Sequence, residues 1–202
     1  MPKPTLDSLQ PFKRLFFALD CPAPQRKAIA GWRRELGLRG GKPVPTENFH
    51  VTLLFLGDVP TGQVGLVKDA ASKVQVPEGP VPLLLDHLDV WRRSQVLVLG
   101  ADHPPPELLR LVYDLEQAML PLGLSPARTP DTAYRPHLTL VRDFRQNVPE
   151  APQPIDFRLD AWEFVLYESR KGSYEELGRW PIAPPAPPRL APHQPMRHPF
   201  TD

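Results

Sequence analysis

The spacing of apolar residues along the chain predicts short strands separated by a few helices. Apolar runs bounded by Gly, Pro or Asp are typical of strands, and they occur at 14–20, 49–57, 80–91, 94–101, 134–144, 157–169 and 174–182. Apolar residues at helical spacing predict helices at 24–37, 62–74 and 105–123. The third helix is the most amphipathic, and its predicted core stripe consists of Leu108, Leu111, Val112, Leu115 and Met119. This order of strands and helices favours an α+β fold.

The composition is that of a folded domain with polar ends. Of the 202 residues, 41% are hydrophobic and 23% are charged, which are ordinary values for a globular protein. We expect a flexible N-terminal arm at 1–11, a single domain at 12–182 and a proline-rich flexible tail at 183–202, because the tail has too little apolar surface to fold. His193 and His198 lie in that tail and are expected to be solvated.

The net charge and the cysteine content limit the kinds of ligand and the cellular location that we expect. The formal net charge is +1, so the molecule has no strong overall field for long nucleic acids, and any anionic ligand must be held locally. Cys21 is the single cysteine, which excludes an internal disulfide and favours a reducing, cytoplasmic location. We expect no membrane association, because no window approaches the roughly 20 apolar residues of a membrane span.

One tetrapeptide pattern occurs twice, as HVTL at 50–53 and as HLTL at 137–140. Side chains two positions apart on a strand point the same way. In the first strand His50 and Thr52 therefore share a face, and Val51, Leu53 and Phe55 are predicted on the other.

The second copy has the same arrangement. His137 and Thr139 share a face that Val141 is predicted to continue, with Leu138 and Leu140 opposite. If the two strands lie near each other across a cleft, two imidazoles and two hydroxyls surround one small space.

Such a set suits in-line displacement at a phosphodiester. A neutral imidazole takes a proton from water, and a protonated one delivers a proton to the departing oxygen. The reference pKa of histidine, about 6.5, allows both roles near neutral pH. Threonine hydroxyls can donate to the non-bridging oxygens, and no metal is required. A zinc site is the weaker alternative, because no close His, Cys or Asp spacing supplies further ligands.

Two arginines are candidates for the same cleft. Arg135 has even spacing from His137, so its guanidinium is predicted to border the cleft and contact phosphate. Arg142 has odd spacing and would reach the cleft only if the strand end twists or bends. For both, a surface arginine or a structural ion pair is an equal alternative. His87 and His103 lack a threonine two positions later and are expected on the surface or in loops.

The motifs in their context resemble those of a known family. The segments RLFFAL, ENFHVTLLFLGDV, RPHLTLVR and YESRKGSYEELGRWPI, within residues 14–182, are similar to the 2H phosphoesterase superfamily, specifically to its RNA 2′,3′-cyclic phosphodiesterases, also called 2′-5′ RNA ligases. The resemblance implies a bilobal domain in which two pseudo-symmetric antiparallel sheets face each other across a central cleft, with helices outside. It also implies a reaction without cofactor, and we separately expect a monomer.

The resemblance further implies hydrolysis of an RNA 2′,3′-cyclic phosphate end to a 2′-phosphomonoester. Carried over by motif, His50 is the proton donor to the leaving 3′ oxygen and His137 is the proton acceptor that activates water. Thr52 and Thr139 hold the phosphate oxygens. Reversible 2′-5′ ligation by the same residues is one alternative. A non-catalytic module that binds RNA ends is another, although both His–Thr pairs are intact.

Overall fold

The computed structural model describes residues 11–124 and 133–182, and within them the predicted α+β class is confirmed. Ten strands are present: β1 (Phe12–Asp20), β2 (Lys42–Pro43), β3 (His50–Pro60), β4 (Val81–Leu85), β5 (His87–Trp91), β6 (Val96–Gly100), β7 (His137–Arg142), β8 (Phe157–Ala161), β9 (Glu163–Arg170) and β10 (Ser173–Pro181). The three α-helices are α1 (Ala23–Glu35), α2 (Val64–Ala71) and α3 (Pro106–Met119). Short 3₁₀ turns occupy Thr46–Asn48, Thr61–Gln63 and Leu120–Leu122.

Most strands belong to one large antiparallel sheet made of two halves. Its order is β10-β9-β1-β3-β7-β6-β5, and β2 pairs with the free part of β7. The halves meet where β3 pairs with β7, and this pairing consists of one residue pair, Val51 with Leu138. Each half therefore contributes one of the two His–Thr strands to the junction.

Two predicted strands are each divided in the structure. The segment predicted at 80–91 forms β4 and β5, and the segment predicted at 157–169 forms β8 and β9. β4 pairs with β8 in a separate two-stranded sheet, whereas β5 and β9 belong to opposite halves of the large sheet. The breaks at Asp86 and Trp162 let the chain pass from one sheet to the other.

Apolar packing fixes the face of the large sheet that lies opposite the two histidines. Val51 and Leu138, the residues of the junction, are both fully buried. The predicted stripe of α3 is buried in full, from Leu108 to Met119. α1 begins with a proline in its first turn, as its sequence predicts, and buries Ile29 and Trp32. With one face covered in this way, the polar residues of β3 and β7 are left on the other.

The expected flexible ends lie outside the described residues, apart from Pro11, and so do His193 and His198. Among the helices of the described residues, none combines the length and hydropathy needed to cross a membrane.

Candidate active site

The single residue pair between β3 and β7 brings the two His–Thr motifs together. Because Val51 lies opposite Leu138 in an antiparallel pair, the flanking residues of one strand lie nearest those of the other in reverse order. His50 is thus next to Thr139, and Thr52 is next to His137. The local twofold symmetry of this antiparallel pair relates the two motifs to each other.

An interruption of the strand alternation follows the threonine in both motifs. Leu53 and Leu54 are both buried in β3, and the pairing with β1 shifts register there. The pairing of β7 with β6 shifts at the corresponding point, where Leu140 and Val141 are both buried. In each strand one extra residue interrupts the alternation. The residue five positions after the histidine, Phe55 in β3 and Arg142 in β7, therefore lies on the same face as the histidine.

Two expectations based on strict alternation are therefore corrected. Phe55 was predicted opposite His50, but it lines the cleft. Val141 was predicted beside His137, but it is fully buried. Arg142 reaches the cleft despite its odd spacing for the same reason, and Arg142 and Phe55 occupy equivalent places in the two halves.

The four motif residues line one open cavity of about 360 Å³. The remaining lining residues are Arg14, Phe16, Phe55, Trp91, Ser94, Val96, Arg142, Ser169 and Tyr174. No carboxylate is among these thirteen lining residues, whereas two arginines are. The cleft is consequently suited to an anionic ligand in a protein whose overall charge is only +1.

Both histidines present the same ring nitrogen to the cleft. The Nδ1–H of His50 donates to the carbonyl oxygen of Asn48 at 2.7 Å, and that of His137 donates to the carbonyl oxygen of Arg135 at 2.9 Å. Each bond joins a histidine to the residue two positions before it and leaves Nε2 as the atom that exchanges a proton. The Nε2 atom of His50 lies 3.2 Å from the hydroxyl of Thr52.

The surroundings of His50 are aromatic. Its ring centroid lies 5.1 Å from that of Phe16 and 5.1 Å from that of Tyr174, which meets it edge to face. Burial among these rings is the main reason why the pKa of His50 is lowered to about 4. The positive charges of His137 and Arg142 lower this pKa further, while the Asn48 carbonyl and the Asp20 carboxylate oppose the shift.

His137 has a different neighbour, the indole of Trp91. The two ring centroids are 4.1 Å apart, and burial lowers the pKa of His137 as well. The Nε1–H of Trp91 donates to a carboxylate oxygen of Asp89 at 3.0 Å. Both imidazoles are therefore mainly neutral in the free protein at neutral pH.

Arg142 and Arg135 have different positions. Arg142 lines the cavity, and its guanidinium lies 3.4 Å from the hydroxyl of Tyr174 on the other half of the sheet. Arg135 forms an ion pair with Asp89 at 2.9 Å and lies over the ring of Trp91. It is not among the residues that line the cavity, so the structural ion pair describes it better than the predicted contact with phosphate.

Sequence reasoning missed several residues of the cleft. Phe16 and Tyr174 lie within the segments quoted for the family resemblance, but their order along the chain gives no sign that they enclose His50. Trp91 ends a predicted strand and carries no motif. The pairing of β5 with β6, and of β6 with β7, is what places it beside His137.

The other titratable candidates lie elsewhere. His87 is half-buried on β5, and its Nδ1 contacts carboxylate oxygens of Asp86 at 2.8 Å and Asp102 at 3.2 Å. This group, unlike the four motif residues, has the spacing of possible metal ligands. His103 is exposed in a loop, as expected. Burial raises the pKa of the Cys21 thiol to about 12, which suits a structural residue.

Comparisons with known proteins identify the family. A family model described as LigT-like phosphoesterase matches residues 19–98. The RNA 2′,3′-cyclic phosphodiesterase of Escherichia coli K12 is 33% identical over 175 residues, which cover 84% of this chain and 97% of that protein. The chain belongs to the LigT-like phosphoesterase family.

Solved structures that are similar to this chain have the same fold. A crystal structure of E. coli LigT complexed with 3′-AMP superposes with a TM-score of 0.75 at 32% identity, covering 85% of this chain and 99% of that one. The crystal structure of TT0787 from Thermus thermophilus gives a TM-score of 0.69 at 26% identity, covering 84% of this chain and 97% of that one. The family resemblance predicted from the motifs is thus confirmed.

Proposed function

We propose that the protein hydrolyses RNA 2′,3′-cyclic phosphate ends to 2′-phosphomonoesters without a metal or cofactor. The main support is that two histidines from remote parts of the chain turn the same nitrogen, Nε2, into one carboxylate-free cavity. The relatives named RNA 2′,3′-cyclic phosphodiesterase give the substrate class, and the E. coli complex with 3′-AMP agrees with a nucleotide ligand.

In the proposed reaction His137 is the proton acceptor and His50 is the proton donor. His137 takes a proton from water as the water oxygen bonds to phosphorus, and the bond from phosphorus to the 3′ oxygen breaks. His50 delivers a proton to that departing oxygen. Burial lowers the pKa of both histidines, that of His50 to about 4, so both rings are mainly neutral before the substrate binds. The assignment of donor and acceptor follows the family resemblance, because both histidines present Nε2 to the cleft in the same way.

The remaining groups stabilise charge on the phosphate. Thr52 and Thr139 donate hydrogen bonds to the non-bridging oxygens, and the Thr52 hydroxyl lies 3.2 Å from Nε2 of His50. Arg142 balances the negative charge from the cleft wall, where its only described hydrogen bond is the long one to Tyr174. Arg135 holds the ring of Trp91 in place and does not contact the phosphate.

The proposal extends to assembly and location. We propose a monomeric bilobal domain at 12–182, because both His–Thr motifs belong to the same polypeptide and meet at one strand pair. The single cysteine, buried at Cys21, supports a cytoplasmic location.

The decisive experiment uses an RNA oligonucleotide that ends in a 2′,3′-cyclic phosphate, with EDTA present. We expect conversion to the 2′-phosphate, resolved from the 3′-phosphate by chromatography, and a loss of about 10²-fold or more in His50→Ala and in His137→Ala. Equal turnover in either variant would contradict the proposal. Tight binding of the RNA without product would instead identify a non-catalytic module.

A further inference from the structure

Arg14 brings a second positive charge into the cleft, apart from Arg142. Its exposed guanidinium lies 5.0 Å over the ring of Phe55, and both residues line the cavity. The cross-strand partner of Arg14 is Asp58, yet the two side chains form no ion pair in the described structure. The guanidinium has no hydrogen bond to another described residue, so its donors are available to a ligand in the cavity.

A series of ring contacts separates Arg14 from the reacting centre. Phe16 contacts the ring of His50 at 5.1 Å and the ring of Phe55 at 6.5 Å, whereas the described ring contact of Arg14 is with Phe55. Along β1, Arg14 precedes Phe16 by two residues, or about 7 Å of extended chain. Arg142, by contrast, is close enough for its charge to lower the pKa of His50. Arg14 and Arg142 therefore lie at different positions along the cleft.

The chemistry around Arg14 fits a phosphate. A guanidinium can donate two parallel hydrogen bonds to phosphate oxygens, and the aromatic ring beneath it holds the planar group in place. Ser169 lines the same cavity, and its hydroxyl has no hydrogen-bond partner among the described residues. No carboxylate lines the cavity, and the neighbouring Asp58 forms no ion pair with Arg14 in the described structure.

We propose that Arg14, held over Phe55, binds a second phosphate of the substrate: the phosphodiester that joins the terminal nucleotide to the rest of the RNA. This inference rests on the proposed function and deepens it, because the cleft then binds two consecutive phosphates of the RNA. A substrate with both phosphates gains a contact that a cyclic mononucleotide lacks. A 5′-phosphate on a mononucleotide offers the same chemistry, so the test must separate the two sources.

The test measures kcat/KM on four substrates. These are a nucleoside 2′,3′-cyclic phosphate, its 5′-phosphorylated form, the dinucleotide ending in the same cyclic phosphate, and that dinucleotide with an uncharged methylphosphonate link. We expect the wild-type protein to prefer the charged dinucleotide over the simple mononucleotide by about tenfold, the value of one exposed charge-assisted hydrogen-bond pair. The methylphosphonate link should abolish most of that preference. If the 5′-phosphorylated mononucleotide is preferred to the same extent as the charged dinucleotide, Arg14 binds a 5′-phosphate as well as it binds a phosphodiester.

Variants of Arg14 connect this preference to the residue. Arg14→Gln should lower the ratio of dinucleotide to mononucleotide kcat/KM about tenfold, and Arg14→Lys, which keeps the charge, should retain part of it. Arg158→Gln is the matched control, because Arg158 is an arginine of β8 paired with Asp160 and does not line the cleft. A ratio that Arg14→Gln leaves at the wild-type value would overturn the inference. Failure of the wild-type protein to hydrolyse any of the four substrates would instead contradict the proposed function itself.

Discussion

The indole ring of Trp91 lies 4.1 Å from the imidazole of His137, measured between ring centroids. The indole is held by hydrogen bonds, because Asp89 accepts from both Trp91 and Arg135. Arg135 in turn lies 5.2 Å over the Trp91 ring. Trp91 therefore limits the rotation of His137 and removes water from one face of it.

Replacing Trp91 tests this positioning role. Trp91→Leu should lower kcat about tenfold, because the proposed acceptor is held less well for proton transfer. It should also move the acidic limb of kcat/KM to higher pH. Burial lowers the pKa of His137, so partial exposure raises that pKa, and the neutral ring that accepts the proton is then lost at a higher pH. The measurement is a pH profile of kcat/KM for both proteins.

Trp162→Leu provides the control for this variant. Trp162 is 59% exposed at the break between β8 and β9 and does not line the cleft. An equal shift of the pH profile in Trp91→Leu and Trp162→Leu would show that the effect does not depend on the contact with His137. An acidic limb that stays in place in Trp91→Leu would remove the positioning role.

Local sequence patterns predicted the two His–Thr faces but could not predict the interruptions that follow them. Alternation with a period of two correctly placed His50 with Thr52 and His137 with Thr139. Beyond each threonine, Leu-Leu and Leu-Val look like a continuing buried strand, and either of the two apolar residues could be the extra one. The register shift depends on the partner strands β1 and β6, which no local pattern specifies. Phe55 and Arg142 are consequently the residues whose faces were least predictable.

The strand breaks at Asp86 and Trp162 could not be predicted from the sequence for a similar reason. Each predicted strand is continuous in hydrophobic pattern, and only pairing decides where one sheet takes over from another. β4 and β8 become strands of a separate sheet because they pair with each other from Val81–Ala161 to Leu85–Phe157. The class and most elements follow from periodicity, whereas the sheet in which each strand lies follows from contacts remote in sequence.

Arg142 and Arg135 should respond differently to removal of their charge. Arg142→Gln removes a cation from the cleft wall and should lower kcat/KM about tenfold or more. Arg135→Gln breaks the ion pair with Asp89 at a site where Arg135 is mostly exposed, so a smaller loss is expected. Steady-state kinetics on cyclic-phosphate RNA at constant ionic strength compares the two. A larger loss in Arg135→Gln would reverse the assignment and restore Arg135 as the phosphate contact predicted from the sequence.

Phosphate binding should change the titration of His50. In the free protein burial and the nearby positive charges lower its pKa to about 4, so at pH 7 only about one molecule in a thousand carries the proton that the donor role needs. An anion between the two imidazoles favours the protonated form, and the pKa should rise by about 1–3 units. NMR titration of the histidine ring signals, with and without saturating inorganic phosphate, measures this change, and the signals of exposed His103 serve as the control for nonspecific effects. Arg142→Gln should raise the pKa of His50 in the free protein, because it removes one of the charges that lower it. A His50 titration that phosphate leaves unchanged would mean that the anion does not sit between the two rings, and the proposed proton donor would then have no source of its proton at neutral pH.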